Sequence, residues 1–359
     1  MKKIIPFLLL LTLTACSPQK VANDAVDAVF SDTTRDAVHK VVDGTFDVMR
    51  SEEMQEAKDT VVETGKEIWG EVKDAYNETK TEIGNTVNNE LVVSYIDVGQ
   101  GDATLITCNG ESLLIDAGDY AHGTAVQKFL MDAGVDKLDY AIFTHPDADH
   151  IGGSATVIYK MCDENTVLFQ SSYTDKDTKA YEYMQQSISE VMTDNSIPQG
   201  EFYLGDAKFW FVTPYYTEES MMPEWYLEDP NNTSLAIILE HGNNRFFFGG
   251  DLTEEMESYL VMNDIDVKAD VYKVSHHGSN TSTSEAFIRE VDPKYAVISC
   301  GMDNDYGHPH KKVLRRLRNY NIEVFRTDEQ GSIICVSDGN TLQWSAEPST
   351  TWKSGDFKQ

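Results

Sequence analysis

The chain has 359 residues, 41% of them hydrophobic, which is enough for one large domain with a full core plus an accessory segment. Its formal charge of −31 excludes long-range capture of nucleic acid, anionic lipid or cell-wall polyanions by the field of the whole protein. A polyanionic substrate therefore needs local cations, and bound metal ions supply them most directly.

Residues 1–15 have the parts of a secretory signal: Lys2 and Lys3, an apolar run over 4–13, then small residues before Cys16. The run is too short to span a bilayer as a mature helix. Leu13-Thr14-Ala15-Cys16 resembles a bacterial lipobox, which implies cleavage before Cys16, lipid on its sulfur, and a protein held on the outer side of a membrane without a spanning helix. Over 16–89 no strand-like run occurs. Met54, Val61, Ile68, Val72, Tyr76 and Ile83 recur at helical intervals, interrupted by Gly44, Gly65 and Gly84. This predicts a solvated helical stalk or linker, with a protein partner through 18–89 as a further expectation.

At Glu90 short β-rich runs broken by Gly and Asn-Gly turns begin, and a catalytic domain is predicted over 90–345. Helices are expected near 124–133 and 180–193, with strands over 202–212, 234–239 and 245–248. The mixture indicates an α/β domain with helices covering sheets. Residues 346–359 read as a frayed, disordered tail. Cys108, Cys162, Cys300 and Cys335 lack the pairing of a zinc knuckle; buried free thiols are expected, and a bridge between Cys300 and Cys335 stays open.

The chemistry concentrates after the strand ending at Thr144. His145, Asp147, Asp149 and His150 fall within six residues in a turn, where side chains converge on a point instead of spreading along a helix. Two imidazoles and two carboxylates suit one or two divalent ions such as zinc or manganese. Asp97 and Asp102, in DVGQGD, and Asp116, in LLIDAG, are expected to orient metal-binding histidines from behind. Aromatic residues between Tyr215 and Tyr226 are candidates for lining a substrate cleft.

HPDADHIGG resembles the HxHxDH signature of the metallo-β-lactamase superfamily, with Asp147 where the second His usually stands. YIDVGQGDATLI, LLIDAG, NNTSLAIIL, FFFGGDL, VYKVSHHGSNTSTS and ISCGMDNDYGHPH narrow the likeness to the extracellular hydrolase domain of the ComEC competence proteins, over about residues 91–340. The resemblance implies a four-layer αββα metallo-β-lactamase sandwich, here preceded by the helical stalk. It implies His145, Asp147, Asp149, His150 and His277 as metal ligands, and Asp251 as the carboxylate bridging two ions about 3.5–4 Å apart. His276 is expected to donate a proton to the leaving group, and Lys273 to meet a phosphate oxygen. The third His of the first metal site is missing; Asn231 and Asn232 stand near its place. Asn232 is carried as its stand-in, and His308 as a residue completing either site or binding the leaving group.

These roles imply a metal-dependent hydrolase, most plainly a phosphodiesterase or nuclease acting outside the cytoplasm through a metal-bound hydroxide. The expected substrate is DNA or a cell-wall phosphodiester. The alternatives are hydrolysis of a lactam, lactone or thioester on the same fold, and, in another class, a non-catalytic lipoprotein that binds a partner through its stalk.

Overall fold

A computed structural model describes residues 90–173, 177–192, 196–218 and 221–355. The signal, Cys16 and the stalk lie outside the described residues. In chain order the elements are β1 (Leu91–Tyr95), β2 (Thr104–Cys108), β3 (Glu111–Ile115), α1 (Gly123–Asp132), β4 (Tyr140–Phe143), α2 (Ala148–Ile151), α3 (Ser154–Met161), β5 (Val167–Gln170) and α4 (Lys179–Val191). The second half holds β6 (Glu201–Leu204), β7 (Ala207–Phe211), α5 (Glu224–Glu228), β8 (Ile237–His241), β9 (Asn244–Phe248), α6 (Glu254–Met262), β10 (Val271–Lys273) and α7 (Glu285–Val291). It closes with β11 (Tyr295–Ile298), α8 (Lys311–Asn319), β12 (Glu323–Arg326), α9 (Thr327–Gln330), β13 (Ile333–Ser337) and β14 (Leu342–Trp344). The expected strand over 202–212 is a hairpin, because Gly205, at φ 56°, supplies the left-handed turn between β6 and β7.

Two seven-stranded sheets result, ordered β14-β13-β1-β2-β3-β4-β5 and β12-β11-β10-β9-β8-β7-β6. Each is antiparallel toward one end and parallel toward the other: β3, β4 and β5 run parallel in the first, β9 to β12 in the second. Parallel strands carry helices on one face and the other sheet on the opposite face, so both sets of side chains are buried and the alternation seen in half-exposed strands disappears. In β9, Phe246 and Phe248 join Leu91, Val93 and Ile142 between the sheets. Phe247, between them in sequence, packs with Met256, Leu260 and Phe287 beneath α6 and α7. On the first sheet Leu105, Leu114 and Phe143 point outward onto Val126, Leu130, Val157 and Ile158 of α1 and α3. This gives the helix–sheet–sheet–helix order, with the ends of β4, β9 and β10 opening on one rim.

All four described cysteines are buried and free, and burial pushes Cys162 up to about 12. Residues 346–355 do not fray. Arg326 Nη1 donates to the Lys353 carbonyl at 2.6 Å, Ser349 N to Val324 O at 2.7 Å, and Gly355 N to Pro309 O at 3.1 Å. These buried partners sit in the core, so the segment gains backbone hydrogen bonds that a free tail lacks. Among the described residues no helix is long and apolar enough to cross a membrane.

The loop 279–284 is anchored from below by Glu257 on α6. Its fully buried carboxylate accepts from Thr283 N at 2.5 Å and from Ser284 N at 2.7 Å. Burial raises its pKa to about 7 against the pull of those donors. The folded protein thus holds this proton more tightly than the unfolded chain. Stability from this group is present below the ordinary carboxylate value and is lost as pH rises through about 7. The expected loss is about 3 kcal/mol. Urea unfolding of wild type and Glu257→Gln between pH 5 and 8 checks this: the wild type should lose stability that the non-titrating variant keeps, and parallel pH curves would refute it.

Candidate metal centre

The rim at the ends of β4, β9 and β10 collects the candidate residues because each strand stops two or three residues before the first of them. β4 ends at Phe143, and Thr144 and His145 follow fully buried. Asp147 has extended backbone before the single turn α2, which carries Asp149 and His150. β9 ends at Phe248, and Gly250 turns the chain so that buried Asp251 points inward. At φ 53°, with Thr144 Oγ1 2.9 Å from where a Cβ would be, this position requires glycine. Gly101 is similarly forced: a Cβ there would lie 2.4 Å from the Asp149 carbonyl, so only glycine lets the β1–β2 loop reach α2. After β10, His276 and His277 sit at φ 52° and 54°, left-handed conformations costly for non-glycine residues and concentrated at functional sites.

Four of the expected ligands close on one point. His150 Nε2 is 3.1 Å from Asp251 Oδ1 and 3.3 Å from His277 Nε2. His277 Nε2 is 3.2 Å from Asp149 Oδ2 and 3.5 Å from Asp251 Oδ2. On the other side of Asp251, His145 Nε2 is 3.9 Å from Oδ2 and 4.0 Å from Asp147 Oδ2, and His276 Nε2 is 3.7 Å from the same Oδ2. Asp251 therefore has nitrogen donors around both oxygens, the arrangement a bridging carboxylate needs. His145 Nε2 and Asp251 Oδ1 are buried without hydrogen-bond partners. Such atoms cost free energy unless something else engages them, and a divalent cation fits both.

The ring orientations are fixed from behind. Asp116 Oδ2 accepts from His150 Nδ1 at 2.7 Å and from the Thr144 hydroxyl at 2.7 Å, and Thr144 Oγ1 in turn lies 3.1 Å from His145 Nδ1. One carboxylate thereby places protons on both Nδ1 atoms and leaves both Nε2 lone pairs facing the centre. His277 Nδ1 donates to the Ser299 carbonyl at 2.9 Å, since a carbonyl only accepts, so its Nε2 also faces inward. Asp102 belongs to this outer layer. One oxygen of its carboxylate clusters with donors of His150, Asp251 and His277 within 4.8 Å. It nevertheless lies on the Nδ1 side of His277, at 3.7 Å, and both its oxygens are 2.8 Å from Lys273 Nζ. Asp149, on the Nε2 side, is the better fourth ligand.

The electrostatics agree with a centre built for a cation. Burial pulls His150 and His277 down, but Asp251 with Asp116 in one case, and Asp251, Asp102 and Asp149 in the other, outweigh it. His150 ends well above its ordinary value and His277 at about 9. Burial pushes Asp251 up, yet His150, His277 and His276 hold it well below the carboxylate range. His145 is lowered by burial and by neighbouring His150, which keeps it neutral and ligand-ready. A cation bound by these residues would displace protons from the two histidines.

Several expected roles do not match their positions. Lys273 is buried against Asp102 and the Val274 carbonyl, so it balances the outer layer instead of presenting a free ammonium to a phosphate. Both ends of the Asn232 amide are engaged: Oδ1 accepts from the Thr253 hydroxyl, and Nδ2 donates to Trp225 O at 2.8 Å. It ties the 230–233 turn to α6 and offers no atom in place of the missing imidazole. Asp97 is exposed and caps its own turn through Gly99 N at 3.0 Å, so only Asp102 of that pair supports the centre. In the 215–226 stretch, buried Tyr226 stacks edge-on with Tyr216 at 5.0 Å, and Trp225 meets Tyr259. Tyr215 packs instead against the core between the sheets, so the described aromatic residues of this stretch are held in packing contacts. His308 does reach the rim, its ring 5.6 Å from His276 and 6.0 Å from His277, with Gln100 Nε2 3.4 Å from its Nδ1. Burial and the adjacent histidines lower it to about 3, so it is neutral at working pH. The Ser299 carbonyl and the Thr144 hydroxyl went unpredicted, since a backbone group and a lone threonine leave no motif.

The pattern of the metallo-beta-lactamase superfamily matches residues 96–160 and 187–302 of this chain, half of its length. ComE operon protein 3 of Bacillus subtilis is 32% identical over 266 residues, covering 69% of this chain and 33% of that protein. Competence protein ComA of Neisseria gonorrhoeae is 29% identical over 260 residues, covering 68% and 32%. The chain thus spans about a third of the length of these relatives. Among solved structures, the metallo-beta-lactamase fold protein YhfI of Bacillus subtilis has a TM-score of 0.45 at 13% identity, covering 69% of this chain and 100% of that one. With the two facing sheets and the Asp/His centre on their shared rim, the chain belongs to the metallo-beta-lactamase superfamily and is a metal-dependent hydrolase of that type.

Proposed function

We propose that the chain is a phosphodiesterase using one or two zinc or manganese ions, acting outside the cytoplasm on a membrane to which lipid on Cys16 anchors it. The observation that carries the reaction is the two-sided donor set around Asp251. One or two divalent ions held by these residues would supply Lewis acidity at the reacting oxygens and lower the pKa of water toward neutrality. The remaining work falls to the chain's own residues. His276, partly exposed at the mouth, holds a proton for the leaving oxygen, and Thr281 Oγ1, 3.2 Å from its Nδ1, orients the ring. Neutral His308 offers a hydrogen bond beside it. Asp147 in place of an imidazole favours a harder ion and disfavours lactam chemistry.

Anchoring rests on the lipobox-like segment, and DNA is the first candidate polymer, ahead of a cell-wall phosphodiester. The test offers bis(p-nitrophenyl) phosphate and a chromogenic lactam to the full chain with manganese or zinc. Metal-dependent turnover of the phosphodiester alone is expected; lactam turnover without it would reject the reading.

A further inference from the structure

Nine residues of this strongly acidic chain break the charge pattern. Helix α8, KKVLRRLRN, holds five of the chain's 29 Lys and Arg and no acid. Val313, Leu314 and Leu317 bury its inner face. Lys312 and Arg316 turn sideways: Lys312 Nζ lies 3.3 Å from Glu254, and Arg316 Nη1 lies 3.1 Å from Glu254 and 2.7 Å from the Thr283 carbonyl. Lys311, Arg315 and Arg318 are exposed at i, i+4 and i+7, which places them along one stripe with about 6 Å of rise between the first two.

The stripe starts at the metal centre. α8 follows directly on His310, whose ring is 4.9 Å from that of His308, and His310 N donates to Gly278 O at 2.9 Å, next to His277. On the other side of His308 stands Tyr306, 67% exposed, its ring parallel to the imidazole at 17° and 5.6 Å. The loop beneath this exposed ring is fixed. Asn304 Nδ2 donates to the Gly301 and His308 carbonyls, while its Oδ1 accepts from Tyr306 N and His308 N. Held this way, the ring is a preorganised flat surface beside the centre. Asp303 and Asp305 precede it in the same loop, so the phosphates are assigned to α8.

We propose that residues 306–318 guide a single-stranded polynucleotide into the centre, Tyr306 stacking one base and Lys311, Arg315 and Arg318 taking backbone phosphates. The inference rests on the phosphodiesterase reading and narrows its substrate. A duplex hides its base faces, and a polyol-phosphate polymer has none, so neither uses Tyr306. Against a net charge of −31, a local cationic stripe also focuses a polyanion onto one approach, where the protein as a whole repels it.

The test measures binding of a fluorescent single-stranded oligonucleotide, its abasic counterpart, and anionic vesicles to the full chain across salt. Its variants are Lys311→Ala/Arg315→Ala/Arg318→Ala, Tyr306→Ala, and a matched charge-loss control, Lys128→Ala/Lys160→Ala/Lys179→Ala, on helices of the first sheet. Thermal melting confirms that each variant is folded. The stripe variant should bind at least about tenfold more weakly at low salt, with a log–log salt slope shallower by about 2, as three lost phosphate contacts require. Tyr306→Ala should weaken the oligonucleotide about fivefold or more and leave the abasic one unchanged. Equal losses in the stripe and control variants, wild-type affinity in the stripe variant, or a stripe effect seen only with vesicles would each overturn the proposal. Stripe-dependent binding by a protein that fails to hydrolyse bis(p-nitrophenyl) phosphate would instead overturn the phosphodiesterase reading.

Discussion

Asp251→Ala should leave the protein folded and lower phosphodiester turnover about a thousandfold, to the rate wild type shows after dialysis against a chelator. Asp251 is buried with histidine nitrogens around both oxygens, His150 by one and His145, His276 and His277 by the other. Loss of Lewis acidity at the reacting oxygens is worth several kcal/mol, and about 4 kcal/mol corresponds to about three decades of rate. Metal content separates this from a simple binding defect. Metal analysis after gel filtration should show the stoichiometry falling, because His150 and His277 lose the anion that draws a cation to them. Asp251→Asn keeps the shape and removes the charge, so it should behave as the alanine variant does. Wild-type metal content and rate in both variants would refute the centre as described.

The residues that gather at the rim were legible because they follow strands in short runs of chemistry-bearing side chains. His145 to His150 form one compact run, and Asp251 and His277 each follow a β-rich run that feeds the same rim. What lay hidden depends on direction. Lys273 and Asp102 are 171 positions apart, and no local pattern announces that the lysine turns back to a carboxylate instead of outward to substrate. Asn232 stands in the right stretch for a ligand, but the Thr253 hydroxyl and the Trp225 carbonyl claim its amide, and these contacts depend on how the turn meets the start of α6 and α5. The 215–226 aromatics carried a composition signal that fits a cleft and a core equally, and packing decided for the core. The end of the chain misled for a related reason. Residues 346–355 have weak intrinsic structure, yet Arg326 and Val324 offer them backbone partners that only the folded sheet presents.

His276→Asn divides the two roles open to the histidine at the mouth. Asparagine tolerates the left-handed backbone at this position, so the loss is confined to the imidazole. If His276 supplies the leaving-group proton, the variant keeps its full metal content. It should lose about 10²- to 10⁴-fold in turnover of an alkyl phosphodiester such as an oligonucleotide. Bis(p-nitrophenyl) phosphate should be nearly spared, because p-nitrophenolate leaves without help from an acid. His277→Asn provides the contrast: its Nε2 faces Asp149, Asp251 and His150, so metal and both activities should fall together. Equal loss on both esters in His276→Asn, accompanied by loss of one metal equivalent, would place His276 among the ligands, on the Asp251 oxygen it shares with His145. The imidazole missing from the family pattern would then be replaced from the β10 turn, and the leaving-group proton would have to come from another donor at the mouth.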